Sequence, residues 1–164
     1  MDKGKLINEY LDCITGKKVG GIGRTSDTMW LRVEMDDGRY LSFEIPTAWR
    51  IINSKGKMEV ASYDVFLAST KSPEIYAWKG QKQNLFDEKS QKWIKKNPAL
   101  YIKEYDVNVT GDLKLLFDNG DRLEVFSDCS EDLENFEARI EPSDCRRLED
   151  RLCEDLFSEK CNIK

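Results

Sequence analysis

A β-hairpin pattern occurs twice in this 164-residue chain, and that repetition limits its folds more than any other feature. The first copy runs Met29-Trp-Leu-Arg-Val-Glu-Met35, Asp36-Asp-Gly38, Arg39-Tyr-Leu-Ser-Phe-Glu-Ile45. The second runs Leu113-Lys-Leu-Leu-Phe117, Asp118-Asn-Gly120, Asp121-Arg-Leu-Glu-Val-Phe126. Leu31, Val33 and Met35 correspond to Leu113, Leu115 and Phe117, while Leu41 and Phe43 correspond to Leu123 and Val125. Arg50-Ile51 is echoed by Arg139-Ile140, and a strand is expected before each hairpin, over Lys18–Arg24 and Ile102–Thr110.

The register follows from which side chains must share a face. A two-residue loop at Asp37-Gly38 would place Leu41 and Phe43 on the face opposite Val33, because strand side chains alternate. A three-residue loop with the glycine left-handed pairs Val33 with Leu41 and Leu31 with Phe43, and in the second copy Leu115 with Leu123 and Leu113 with Val125. One apolar face results in each copy, so the three-residue loop is expected at both.

Around these hairpins, apolar spacing assigns the remaining elements. Leu6, Ile7, Tyr10, Leu11 and Ile14 form a helical stripe ending near Gly16. Ala48–Ile52 and Lys57–Phe66 read as strands about Ser54-Lys-Gly56. Leu85, Phe86, Trp93 and Ile94 mark a helix from about 85 to 97, stopped by Pro98. Cys145, Leu148, Leu152 and Leu156 mark another over about 144–158, with Ser143 or Asp144 as N-cap. The expected fold is α+β: one pseudo-symmetric domain over 1–164, with repeat copies at about 17–66 and 102–141 and a central loop and helix at 69–97. Its mainly antiparallel sheet is covered by N-terminal, central and C-terminal helices.

The chain contains no histidine, which removes the Ser–His–Asp and Cys–His arrangements and the commonest metal ligand. Five cysteines, Cys13, Cys129, Cys145, Cys153 and Cys161, include no C-x-x-C pair. The last three lie eight apart, which steps about 80° around a helix and scatters the thiols. An odd count in a domain of this size fits reduced thiols in a cytosol. Gly20-Gly21-Ile22-Gly23-Arg24 lacks the ending of a phosphate loop and reads as a bulge or a close strand approach. Asp118-Asn-Gly-Asp121 lacks the spacing of a calcium loop and reads as a turn. No catalytic residue, cofactor or metal is expected.

Charge is unevenly placed. The formal net charge is −5, against a general nucleic-acid binder. From Asp128 to Glu159 there are twelve carboxylates and four arginines, whereas Lys71 to Lys103 holds eight lysines and three acids. The lysine-rich helix carries Trp93, which its amphipathic pattern assigns to the core. Charges interrupt Met1 to Ile14, leaving no apolar run for a secretion signal, and no run approaches membrane-spanning length. The expectation is a cytoplasmic protein without nucleic-acid or membrane partners.

Size, acidity, the α+β pattern and tryptophan-bearing strands, Trp30-Leu-Arg-Val-Glu-Met-Asp-Asp-Gly38 with Ala48-Trp-Arg-Ile51, together resemble the small acidic immunity proteins with which bacteria neutralise toxins. The resemblance implies an inhibitor that binds by surface complementarity, often with acidic residues against a basic nuclease. Asp128, Glu131, Asp132, Glu134, Glu149, Asp150 and Asp155 are the candidate partner-binding residues on the acidic stretch. The competing expectations are a self-associating structural protein and a histidine-free enzyme.

Overall fold

The computed structural model describes residues 11–71 and 84–127, together with the strand segments 137–141 and 154–155. Ten strands, one short 3-10 helix and one complete α-helix are assigned among them, together with the helical residues 11–14. The strands are β1 (Val19–Thr25), β2 (Thr28–Glu34), β3 (Tyr40–Ile45), β4 (Trp49–Ile52), β5 (Met58–Ala61), β6 (Ile102–Val107), β7 (Leu113–Phe117), β8 (Arg122–Val125), β9 (Glu137–Glu141) and β10 (Glu154–Asp155). A 3-10 helix, Ser62–Phe66, follows β5, and helix α1 (Leu85–Lys96) precedes β6.

Both hairpins adopt the expected register. Val33 pairs with Leu41 and Leu31 with Phe43, while Leu115 pairs with Leu123 and Leu113 with Val125. At each bend the glycine is left-handed, Gly38 at φ 83° and Gly120 at φ 85°. The closing bonds match too: the Met35 N–H donates to the Arg39 carbonyl, and the Phe117 N–H to the Asp121 carbonyl, both at 2.9 Å. Alternation then buries Met29, Leu31, Val33, Leu41, Phe43 and Ile45 from one hairpin, and Leu113, Leu115, Phe117, Leu123 and Val125 from the other.

The hairpins lie in separate sheets, of order β1-β2-β3-β9-β10 and β5-β4-β8-β7-β6. After β3 the chain turns at Pro46 and crosses over, so that β4 pairs with β8 through Trp49↔Val125 and Ile51↔Leu123. After β8 it crosses back, and β9 pairs with β3 through Ala138↔Phe43 and Ile140↔Leu41. Each sheet is thus a three-stranded meander completed by two strands from the other half of the chain. A backbone seam ties the sheets together: the Gly16 and Val19 N–H groups donate to the Ile102 and Leu100 carbonyls at 2.7 and 2.8 Å, and the Ile102 N–H to Lys17 at 3.0 Å.

Helix α1 begins at Asn84, whose side chain accepts the Asp87 N–H while the Asp87 carboxylate accepts the Asn84 N–H. Its apolar stripe places Phe86 against Trp49, edge to face with centroids 5.7 Å apart, and Trp93 against Phe117 at 5.6 Å. Trp93 is core, as its helical spacing requires, and its Nε1 donates to buried Asp121 at 2.8 Å. The apolar faces of both sheets and the α1 stripe belong to one buried cluster.

The architecture is therefore more β-rich than expected, and of the three covering helices only the central one is described over its whole length. Of the N-terminal helix, residues 11–14 are described and helical, with Leu11 and Ile14 fully buried; the remainder lies outside the described residues. Of the helix expected over 144–158, Glu154 and Asp155 are instead extended, pairing with Ile140 and Arg139, and the rest lies outside the described residues. The strand expected to reach Phe66 stops at Ala61, because the Asp64 carboxylate accepts the Ala61 N–H at 2.9 Å and closes a 3-10 turn. The strand expected to reach Thr110 stops at Val107, because the Asn108 side chain accepts the Thr110 and Asp112 N–H groups and bends the chain there.

Candidate interaction surface

Helix α1 is held by a different charged clasp on each flank. Arg24 on β1 forms a two-toothed pair with Asp87, at 3.0 and 2.9 Å, and the guanidinium side chain is only 10% exposed. On the other flank, Lys89 meets both oxygens of Asp64 at 3.0 and 3.1 Å, while Asn84 donates to the Val65 carbonyl. The helix thereby lies beside β5 and the 3-10 turn, and beyond that line the surface changes character.

Met58, Tyr63, Phe66 and Leu67 are 51%, 69%, 38% and 40% exposed. They follow one another along β5, the 3-10 turn and its exit, and the Tyr63 and Phe66 rings pair with centroids 5.6 Å apart. β5 is the outermost strand of its sheet. Exposed apolar side chains beside an outermost strand are a feature that proteins normally blunt unless a partner uses it. In the sequence it was hidden by the expectation of a continuous strand over 57–66, which would have turned alternate residues inward. Asp64 within that apolar run was the available signal that the strand breaks.

Exposed lysines occur on the elements next to this run. Lys55 and Lys57 at the β4–β5 turn, Lys71 after Leu67, and Lys92, Lys95 and Lys96 on α1 are all exposed. Lys92 and Lys96 stand three and seven residues beyond Lys89, on the flank that meets the 3-10 turn. The neighbouring carboxylates are already engaged. Glu59 accepts from Asn53 at 2.7 Å, Asp64 holds Lys89, and Glu88 accepts from Ser69 and Thr70. Hydrogen bonds from Thr70 and then Ser69 hold the Glu88 carboxyl below its ordinary range.

The outer face of the same sheet carries a different pattern. Across β6, β7, β8 and β4, Asp106, Lys114, Glu124 and Arg50 lie in register, alternating in sign. Arg50 and Arg122 donate to separate oxygens of Glu124 at 2.6 and 2.7 Å. Burial pushes the Glu124 carboxyl up, but the hydrogen bonds from Arg122 and Arg50 outweigh it and leave the group below its usual range. The depression beside this row, lined by Asp106, Asn108, Asp112, Lys114, Glu124 and Phe126, has a volume of about 170 Å³. That is smaller than pockets that bury an organic ligand, roughly 300 Å³ and upward.

The acidic candidates are not brought together within the described residues. Asp155 is placed opposite Arg139 on β10; Asp128, Glu131, Asp132, Glu134, Glu149 and Asp150 lie outside the described residues. Among the described residues, no group of three His, Cys, Asp or Glu side chains is arranged to hold a metal, and no helix is long and apolar enough to cross a membrane. No family model, curated protein or solved structure matches this chain.

Proposed function

We propose that this chain is a non-catalytic protein-binding module, and that it acts in the cytoplasm as an immunity-type protein neutralising a toxin. The observation that carries the protein-binding reading is the run of exposed apolar side chains from Met58 on the outermost strand β5 through Tyr63 and Phe66 of the 3-10 turn to Leu67. Rings and thioethers at such exposure lose water favourably when a partner covers them, at about 25 cal/mol per Å² of apolar surface. Aromatic anchors of this kind dominate binding energy at protein interfaces.

The toxin reading rests on charge. The stretch from Asp128 to Glu159 carries a large acidic excess, suited to steering a basic domain. In this reading the paired hairpins are a rigid body carrying the exposed apolar run, and the acidic stretch is a second binding segment of opposite character. Self-association is the second reading, favoured by the outermost position of β5.

Binding of the full chain to a panel of basic nuclease toxin domains, measured by surface plasmon resonance, tests the proposal. A captured domain is expected to lose about tenfold in affinity when Glu131, Asp132 and Glu134 are changed to lysine, and about as much when Tyr63 and Phe66 are changed to serine. Affinities unmoved by either set would remove both surfaces from the interface.

A further inference from the structure

We infer that the β5 face takes an extended acidic segment of a partner protein, which rests on the protein-binding reading above and specifies the chemistry of what is bound there. Two features of the face determine that chemistry. Its apolar part follows the chain, from Met58 on β5 through the paired rings of Tyr63 and Phe66 in the turn to Leu67. Such a row suits a segment laid lengthwise, with alternate side chains touching Met58, Tyr63 and Phe66.

Its surroundings carry a cationic excess. Exposed Lys55, Lys57, Lys71, Lys92, Lys95 and Lys96 lie on the β4–β5 turn, the chain after Leu67 and α1, against the carboxylates of Glu59 and Glu88, while Asp64 is paired with Lys89. A basic segment would meet these ammonium groups at close range, and an acidic one would neutralise them. The overall charge of −5 does not alter this, because screening confines the interaction to about 8 Å at physiological salt.

A nucleic acid would also answer to lysines and exposed rings. The row favours protein because Met58 and Leu67 offer no face for base stacking. The acidic stretch beyond Asp128 serves a basic partner, so the two surfaces are complementary to segments of opposite sign.

Selection from a displayed library of random twelve-residue peptides tests the inference, using the full chain, a Tyr63→Ser/Phe66→Ser variant and a Lys92→Glu/Lys96→Glu variant. A randomised RNA pool is run in parallel. All the substituted side chains are at least partly exposed, and unchanged circular dichroism and melting confirm folding of each variant. The expected result is enrichment of acidic peptides with interspersed apolar residues, lost in the ring variant and weakened about tenfold in the charge-reversed one.

Ring-dependent peptides that are neutral or basic would overturn the acidic assignment while leaving the protein-binding reading intact. Absence of any ring-dependent peptide would overturn both. Ring-dependent capture of RNA in place of peptide, or a dimer seen by light scattering that the ring variant abolishes, would equally overturn the inference.

Discussion

Gly23 sits under the indole of Trp30 so closely that a methyl group there would lie 2.2 Å from ring atom Cζ2. The same indole carries the Arg32 guanidinium on its face, 4.4 Å from the centroid, so it cannot tilt away without disturbing that stack. Gly23→Ala should therefore destabilise the protein by about 2 kcal/mol, as overpacking does. Gly21→Ala, whose new methyl would stand 3.7 Å from the ring, should stay within about 0.5 kcal/mol of the parent. Urea unfolding of the two variants makes the comparison, and equal midpoints would show that the indole yields freely. The glycine run was legible as a bulge or a close approach, and it is both. The pairing slips between Val19 and Gly21, and Gly20 and Gly23 lie beneath Tyr40 and Trp30. Which rings would cover them was not legible, because cross-strand neighbours depend on a register fixed far from the glycines.

Four bends share one geometry. Besides Gly38 and Gly120, Gly56 and Gly111 are left-handed at φ 82° and 88°, and the Asn53 and Asn108 N–H groups close their loops onto Lys57 and Asp112. In these two turns the Asn side chain also accepts two N–H groups ahead of it, so asparagine starts the bend that glycine completes. The aspartate-glycine turns could be deduced because apolar residues on both arms demanded one face. The Asn108 turn was hidden because β6 alternates poorly, with only Ile102 buried in its span. At Gly38 an added methyl meets nothing within 4 Å, so Gly38→Ala should cost about 1 kcal/mol from backbone strain alone. At Gly120 it would also press on Ser54 Cβ at 3.0 Å, and Gly120→Ala should cost more. Thermal melts that ranked the pair the other way would contradict this packing of the two turns. The exposed run after β5 was not legible at this scale either, since the turn that carries Tyr63 and Phe66 forms only because Asp64 ends the strand early.

Neither half of the chain owns a complete sheet. Residues 1–71 supply β1, β2 and β3 but leave the outer side of β3 without β9, and their β4 has no β8 to join. Expressed alone, residues 1–71 should show no cooperative thermal transition, whereas mixing them with residues 84–164 should restore one. A sharp melt from the first fragment by itself would mean that the exchanged strands are dispensable. This crossing was beyond the reach of sequence reasoning. Period-two patterns report which face a residue occupies, not which sheet accepts the strand, and Ile51 and Ile140 satisfy the same pattern in either one.

The traded strands have a consequence that can be stated in simple stoichiometry. Each half of the chain has two ribbons to give away and two vacancies to fill, so the halves satisfy each other reciprocally. Carrying both on one polypeptide makes that exchange an event within a single molecule, independent of concentration.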